Sequence, residues 1–420
     1  MLLANYVEVI ILMGVITVVA SMHMYKVFTY VEDWSFCLND MNGLLIFLTI
    51  SLTFLILVSS GSMCEGFYRC LFLSLLVILI SCFSTSNLFI FYVLFESSLV
   101  PILLIIIGWG YQPERLQAGM YMILYTVGAS MPLLLIILYV SITFGSGIYW
   151  LSNLSPLGMA NFLYWGFLAF MVKLPVYSVH IWLPKAHVEA PLGGSMILAG
   201  ALLKLGGYGM YLFNMLVVTS NSNELTVWLM SLSMFGGLFA SVLCLNQTDI
   251  KAVIAYSSIV HMSVVVMGTL SNTSWGQMCA IITMVAHGWT SSALFLVAYI
   301  SYTMTSSRAF LYTKGLLTIY PPVSVLWFLG LATNMAVPPT INLVGELAAV
   351  SASISVSKYM LFLLWIMMFL SVSYNMFLYC KVNHGAASNY LFPSKVTQSS
   401  LLLPMCAHFL PLALLLSLDL

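Results

Sequence analysis

The chain has 420 residues, of which 62% are hydrophobic and only 6% are charged, and its formal net charge is zero. A soluble domain carries about 25% charged residues, so this composition excludes a globular protein with a membrane anchor. It predicts an all-α polytopic membrane protein. The balanced charge gives no electrostatic reason to expect nucleic acid as a partner.

Cofactor-binding patterns are missing from the sequence. The eight cysteines form no C-x-x-C pair, and they do not combine with histidines at zinc or iron–sulfur spacing. Gly206, Gly207 and Gly209 follow Lys204 without the pattern of a phosphate-binding loop. We interpret them as small residues that let neighbouring helices approach closely. The sequence therefore predicts no metal and no cofactor site in this chain.

The apolar segments predict about thirteen membrane spans, since a helix needs ~20 apolar residues to cross a bilayer. The first has no basic segment before it and no cleavage site after it, so we interpret it as a retained span and not a signal peptide. Only the polar cluster 84–87 separates the third and fourth spans. The eleventh contains Pro338-Pro339 and is interpreted as one broken helix, with two separate spans as the alternative. The predicted spans are 5–25, 41–60, 68–85, 87–108, 118–143, 161–183, 192–217, 225–245, 249–270, 276–303, 319–355, 358–380 and 400–417.

The basic residues in the loops favour thirteen spans. Two of the twelve lysines and arginines, Lys173 and Lys204, lie deep inside spans, and the other ten lie in loops or at span ends. Eight of these fall on one side of the membrane, and only Lys26 and Lys358 fall on the other. This bias predicts an N-terminus on the inner side and a C-terminus on the outer side. Dividing the eleventh span would weaken the bias to seven against three. The eight are Arg69, Arg115, Lys185, Lys251, Arg308, Lys314, Lys381 and Lys395.

Two helix interruptions lie beside buried charges. Pro175 follows Lys173 in the sixth span, and Pro338-Pro339 precedes Glu346 by eight residues, 163 residues further along the chain. Interrupted helices at matching positions in two halves of a chain are typical of an inverted-repeat transporter core. We therefore predict a first repeat at 68–217 and a second at 225–380, with N-terminal spans at 1–67 and a loop and last span at 381–420.

Four ionisable residues, Glu96, Lys173, Lys204 and Glu346, lie within predicted spans. A charge at the bilayer centre costs at least ~2.5 kcal/mol, so such residues are rare unless they are used. A buried lysine changes its charge readily, and a nearby carboxylate controls that change. We predict an ordered proton path from Glu96 through Lys173 and Lys204 to Glu346. The alternative is a set of static ion pairs, which stabilise poorly after desolvation.

His180, His261 and His287 also lie within apolar segments and extend this predicted path, because histidine titrates near neutrality. The alternative is that each is a hydrogen-bonded core residue. His180 follows Lys173 by seven residues, about two turns if the chain stays helical there. The remaining histidines lie nearer span ends and receive no role. The charges Glu114, Arg115, Lys185, Glu189, Asp249 and Lys251 at span ends are interpreted as topology and interface residues.

Several long motifs resemble the antiporter-like chain 4 family of mitochondrial NADH–ubiquinone oxidoreductase, respiratory complex I. The resemblance extends from about residue 40 to 380 and is weak outside that range. The motifs are FMVKLPVYSVHIWLPKAHVEAP at 170–191, LLKLGGYG at 202–209, QPER at 112–115, YSSIVH at 256–261, AHGWTSS at 286–292 and PPTINLVGE at 338–346.

The resemblance implies a proton-translocating subunit of the membrane arm, with two inverted five-helix repeats that each contain a broken helix. It implies that the glutamate matching Glu96 pairs with Lys173, and that Lys204, His180, His261, His287 and Glu346 form a hydrated axis. NADH, FMN, iron–sulfur clusters and ubiquinone would bind to other subunits. Expected partners are the subunit 2 and subunit 5 chains, supernumerary subunits and phospholipids such as cardiolipin.

The family usually has fourteen spans, and this chain has room for only one before Asp40 where two are typical. The resemblance implies the mitochondrial inner membrane, with the N-terminus in the matrix and the C-terminus in the intermembrane space. Protons would move from matrix to intermembrane space, and which end of the axis is the exit stays open. Two alternatives remain: a subunit of a multisubunit sodium/proton antiporter, and a purely structural membrane subunit.

Overall fold

The computed structural model describes residues 6–24, 31–32, 37–38, 40–61, 66–144, 164–217, 224–387 and 399–414. Nearly all of these residues are helical, as the composition predicts. In an apolar environment the backbone has to satisfy its own hydrogen bonds, and a helix does so within one segment. The described residues also include one short antiparallel ladder, in which Val31–Glu32 pairs with Cys37–Leu38.

Six helices precede the first interruption. Helices α4 and α5 are separated by Ser98 alone and together form one apolar stretch of 22 residues, Leu88–Trp109. Asn87 caps α4 by accepting a hydrogen bond from the Phe89 amide at 2.9 Å, so the polar cluster 84–87 does separate two helices as predicted. The six are α1 (Tyr6–Met24), α2 (Asp40–Ser60), α3 (Gly66–Ser84), α4 (Leu88–Ser97), α5 (Leu99–Trp109) and α6 (Arg115–Phe144).

The sixth predicted span is interrupted, as Pro175 indicates. A 3-10 turn, Tyr164–Gly166, leads into a short helix that ends at Lys173, and the chain becomes helical again at Trp182. His180 lies in this non-helical segment. The chain does not stay helical between Lys173 and His180, so the spacing of two helical turns does not apply, because Pro175 lacks an amide donor and holds the preceding residue extended. The helices here are α7 (Phe167–Lys173), α8 (Trp182–Glu189), α9 (Leu192–Ile197) and α10 (Leu203–Val217).

The second half of the chain contains nine helices among the described residues. The predicted eleventh span consists of two of them, which are separated by 335–340 with a cis Pro338-Pro339 bond. The nine are α11 (Glu224–Asn246), α12 (Ile250–Leu270), α13 (Ser274–Thr305), α14 (Phe310–Thr313), α15 (Leu316–Ile319), α16 (Pro321–Asn334), α17 (Ile341–Val356), α18 (Lys358–Asn383) and α19 (Ser399–Leu414).

Within the described ranges, nine helices are long and apolar enough to cross a membrane, or ten if the bent pair Phe310–Ile319 and Pro321–Asn334 is one span. That pair bends by 114°. Three shorter apolar helices, Tyr6–Met22, Ile341–Val356 and Leu401–Leu412, occupy other predicted spans. The all-helical polytopic fold is thus confirmed. The number thirteen, the loop side assignment and the inverted repeats stay predictions.

The chain forms two compact units. The first comprises Met1–Pro175 and Glu189–Leu229, and the second comprises Val176–Val188 and Met230–Leu420. In the first unit α7 packs between α6 and α10. In the second unit the long helix α13 is buried along most of its length and contacts α12, α16, α17 and α19. These packed helices hold the charged residues.

Candidate proton-translocation site

Lys173 lies in the last turn of α7. Its side chain is only 3% exposed. The final backbone hydrogen bond of this helix joins the Leu174 amide to the Phe170 carbonyl at 2.7 Å, after which Leu174 is extended. A helix C-terminus presents unpaired carbonyls and a partial negative charge, so it favours a cation at this position. The interruption therefore places Lys173 beside the unpaired carbonyls at the end of the helix.

The amine of Lys173 contacts the end of α4. It donates a hydrogen bond to the Phe95 carbonyl at 3.2 Å, and it lies 3.6 Å from the centroid of the Phe95 ring. Glu96 is the next residue, and its carboxylate is within electrostatic range of Lys173. Among the described residues, no ion pair with an N–O distance of 4.0 Å or less joins the two. The structure thus brings the predicted pair into one site without closing it.

Ser130 of α6 lies beside the carboxylate of Glu96 and beside the hydroxyl of Tyr92. Sequence reasoning did not select either residue. Ser130 and Tyr92 are both buried, and Tyr92 precedes Glu96 by one helical turn. This spacing of four residues on one helix face was the available signal. The carboxylate therefore has hydroxyl groups near it as well as the lysine.

Glycines allow α10 to approach α7 closely. A Cβ atom on Gly206 would lie 3.0 Å from Lys173 Cβ, and one on Gly209 would collide with the Phe170 ring. Both glycines sit on α10 and carry no side chain into the contact, as the sequence predicts for these positions. This close approach fixes the helix that carries Lys204 against the helix that carries Lys173.

Lys204 is fully buried near the start of α10. The preceding residues, Leu198–Leu202, form a π-helical turn. The amine of Lys204 donates a hydrogen bond to the Ala199 carbonyl, five residues earlier, at 2.6 Å. Single π turns inside α-helices occur frequently at functional sites. The backbone of the widened turn thus contributes an acceptor to this buried lysine.

The second unit contains the predicted histidines. His261 on α12 and His287 on α13 have ring centroids 5.4 Å apart. His180, in the non-helical segment, stacks on Tyr177 at 4.7 Å and meets the edge of Tyr256 at 6.1 Å. The structure therefore brings two of the three histidines into contact with each other and places the third against tyrosines.

Glu346 lies in the second turn of α17, which begins after the second interruption. Asn342 donates to the Thr333 carbonyl at 2.5 Å and so ties α17 to the end of α16. A Cβ atom on Gly345 would lie 2.7 Å from a Thr283 methyl group of α13. Close packing at this glycine places Glu346 next to α13, with Cys279 and Tyr374 in electrostatic range.

Some residues assigned to interfaces, or given no role, are buried parts of the second unit. His187 is fully buried and stacks on Phe295 with ring centroids 4.8 Å apart. Lys251 is 8% exposed and donates to the Val188 carbonyl at 3.4 Å, as does Arg308 at 3.4 Å. The signal for His187 was its spacing, since it follows His180 by seven residues just as His180 follows Lys173. Sequence reasoning gave His187 no role.

No group of three or more His, Cys, Asp or Glu residues in the described part of the chain is placed to hold a metal ion. The titratable residues instead occur singly or in pairs at interrupted or closely packed helices. A bundle of apolar helices with lysines, carboxylates and histidines in these positions defines an ion-translocating membrane protein.

The comparisons identify the family. Residues 85–372 match the family described as NADH:quinone oxidoreductase/Mrp antiporter, TM. The chain is 45% identical to NADH-ubiquinone oxidoreductase chain 4 of Albinaria caerulea over 90% of its own length and 87% of that protein. It is 38% identical to chain 4 of Lumbricus terrestris over 94% and 88%. The chain therefore belongs to the NADH:quinone oxidoreductase/Mrp antiporter family.

Solved structures show the same fold. A chain of respiratory complex I from Thermus thermophilus with bound NADH superposes with a TM-score of 0.88 at 22% identity, covering 98% of this chain and 91% of that one. A chain of the Mrp complex from Dietzia sp. DQ12-45-1b gives 0.82 at 18% identity, with coverages of 91% and 76%. The solved structures thus show the fold, while the family match and the chain 4 relatives confirm the resemblance noted in the sequence motifs.

Proposed function

We infer that the chain is the proton-pumping chain 4 subunit of NADH–ubiquinone oxidoreductase, respiratory complex I. The high identity to chain 4 proteins over most of their length supports this conclusion. The structural observation that carries it is the buried Lys173 at an interrupted helix, with Glu96 in electrostatic range but no ion pair of 4.0 Å or less described between these two residues. A group in this position can exchange a proton when its carboxylate neighbour changes charge.

In the first unit, opening and closing of the Glu96–Lys173 pair would control proton uptake by the lysine. When the carboxylate is near, the ammonium form of Lys173 is favoured, and when it moves away the proton becomes easier to release. Lys204 would be the next acceptor, with the Ala199 carbonyl orienting its amine. Because both lysines are buried, water competes little with these interactions.

In the second unit, His180, His261, His287 and Glu346 would carry the same proton further, and protons would pass from the matrix to the intermembrane space. The contact between His261 and His287 supports a transfer step at that point, since neutral imidazole both donates and accepts protons. His287 is buried, which limits exchange with bulk water.

Proton movement and redox chemistry would be carried out by different subunits of complex I. This chain would move protons, while other subunits bind NADH, FMN, iron–sulfur clusters and ubiquinone. The subunit 2 and subunit 5 chains, supernumerary subunits and phospholipids such as cardiolipin would be its neighbours. It would lie in the mitochondrial inner membrane, with the N-terminus in the matrix. The animal relatives and the eight-to-two bias of basic loop residues support this placement.

A subunit of a sodium/proton antiporter is the second candidate, since a chain of the Mrp complex shares the fold. That likeness is 18% in sequence, against 45% for a chain 4 protein. Proton movement that depends on NADH oxidation and stops with complex I inhibitors supports the first candidate. Proton movement driven by a sodium gradient alone, insensitive to those inhibitors, supports the second.

The test is a lysine replacement in the assembled complex, in sealed membrane vesicles. Lys173→Met should abolish the proton movement that depends on this subunit while the complex still assembles. Lys358→Met, at an exposed lysine at the start of α18, makes the same chemical change away from the site and should act like the parent. A normal ratio of protons moved to NADH oxidised in Lys173→Met, with normal assembly, would contradict the proposal.

A further inference from the structure

Phe95 contacts the amine of Lys173 through both its ring and its backbone carbonyl. The amine lies 3.6 Å from the ring centroid, over its face. The same residue also accepts a hydrogen bond from this amine through its carbonyl at 3.2 Å. Both acceptors for the ammonium therefore belong to one residue, and that residue is the neighbour of Glu96 in the sequence.

An aromatic face attracts a cation because the ring quadrupole is negative above its plane, and the attraction grows when water is excluded. A neutral amine gains much less from this field. The ring of Phe95 is 1% exposed and Lys173 is 3% exposed. The contact therefore distinguishes the protonated from the deprotonated lysine, and it does so without a second titratable group.

Neighbouring rings hold Phe95 in place. It packs edge-on against Phe170 with ring centroids 6.0 Å apart, and it packs against the tilted ring of Phe91 at 5.8 Å. Phe170 is in turn confined by Gly209, where even a methyl group would collide with its ring. A ring packed on several sides cannot follow the lysine if its amine moves. It therefore marks a fixed position for the ammonium group.

We propose that Phe95 is a positioning residue that provides a second binding position for the ammonium group of protonated Lys173. Building on the proposed function, the lysine holds its proton in two places: against the Glu96 carboxylate when the pair is closed, and over the Phe95 ring when it is open. This second binding position lets the Glu96–Lys173 pair open without immediate loss of the proton from Lys173. Opening and proton release thus become separate steps.

The test compares ring-free and ring-retaining variants in the assembled complex. Phe95→Leu removes the quadrupole and keeps apolar bulk, whereas Phe95→Tyr keeps the ring. Phe72→Leu is the matched control, because Phe72 is a fully buried phenylalanine of the first unit whose described ring contact is with Tyr68 and not with Phe95 or Lys173. The measured quantity is the pH profile of NADH-driven proton movement, together with the amount of assembled complex.

Without the ring, Lys173 should lose its proton at lower pH. The alkaline limb of the profile should therefore shift to lower pH by about half a unit or more in Phe95→Leu. Phe95→Tyr and Phe72→Leu should keep the parent profile. If Phe95→Leu does not assemble, Phe95→Met tests the same loss with a more adaptable side chain.

Two outcomes would overturn the inference: a parent-like profile in Phe95→Leu, or an equal shift in Phe72→Leu. They are distinct from a failure of the proposed function. Should Lys173→Met itself leave proton movement unchanged, the proposed function fails. A loss in Lys173→Met combined with a parent-like Phe95→Leu removes only the role of Phe95.

Discussion

The two units differ in the titratable groups that accompany the glutamate of the proposed path, which are lysines in the first unit and histidines in the second. The first unit contains two buried lysines, whose amines contact backbone carbonyls and an aromatic ring. The second contains histidines in contact with each other or with aromatic rings, and a carboxylate beside α13. Lysine keeps its proton strongly unless its surroundings change, whereas histidine exchanges near neutrality.

The interruptions differ in the same sense. At the first, the lysine occupies the C-terminal turn of α7, where a cation is favoured. At the second, Glu346 lies in the second turn of α17, and asparagine side chains bind the backbone and each other around the break. The first interruption therefore has its charged residue, Lys173, at the helix end itself. The second interruption is stabilised by neutral amides, and its charged residue, Glu346, lies within the helix that follows. We infer that the first unit controls when the proton is released and that the second unit carries the proton onward.

The largest effect on proton transfer is expected when a carboxylate is removed. Glu96→Gln should remove the partner that switches Lys173 and slow proton transfer ~100-fold or more, with assembly retained. Glu346→Gln should slow transfer as well, but at a step after the switch. Single-turnover measurements of proton release after a pulse of NADH check this difference. Equal lag phases for the two variants would contradict the assignment of switching to the first unit.

Close packing in the first unit predicts the next largest effect. Gly209→Ala should overpack the contact with Phe170 at about 1–3 kcal/mol and reduce the amount of assembled complex severalfold. Gly128→Ala on α6 is the control, since a Cβ atom there meets nothing within 4 Å. The amounts are measured by native gel electrophoresis. Equal assembly of the two variants would show that the α7–α10 contact tolerates expansion.

A smaller effect is expected at the charged corner of the second unit. Arg308 forms an ion pair with Asp249 at 3.6 Å and donates to the Val188 carbonyl, while Lys251 donates to the same carbonyl. Because both partners of the pair are partly exposed, Arg308→Gln should cost about 0.2–1 kcal/mol. Thermal unfolding of the complex at low and high salt measures it. A destabilisation of the same size in high salt would exclude the ion pair as the cause.

The smallest expected effect is at the second interruption. Asn334 donates to Asn375 at 3.0 Å, and both side chains are buried. Buried hydrogen bonds between membrane helices average about 0.6 kcal/mol. Asn375→Leu should therefore lower thermal stability slightly and leave proton movement unchanged. A loss of proton movement in this variant would mean that the amides of the second unit take part in conduction.

Much of the fold was predictable because bilayer physics restricts the choices. Apolar length predicted the long helices, and Pro175 and Pro338-Pro339 predicted both interruptions. The sequence could not reveal how far the chain stays non-helical after Pro175, because that depends on tertiary contacts such as the stacking of Tyr177 on His180. The π turn before Lys204 was also missed, since no residue pattern in Leu198–Leu202 distinguishes it from an α-helix.

The site was predictable by residue type and not by contact. Charge within apolar spans singled out Glu96, Lys173, Lys204 and Glu346. A buried phenylalanine carries no such signal, so Phe95 became visible only through its distance to the Lys173 amine. His187 was given no role and Lys251 was assigned to the topology and interface residues because both lie near span ends, and both are buried in the structure.

The central claim is that the groups of both units act in one proton transfer. A double-mutant cycle with Lys173→Met and Glu346→Gln, measured as protons moved per NADH oxidised in the assembled complex, tests it most directly. One shared transfer predicts that the double variant keeps the same ratio as the more impaired single variant. A double variant whose loss equals the sum of the two single losses would mean that the units move protons independently, and it would contradict the account.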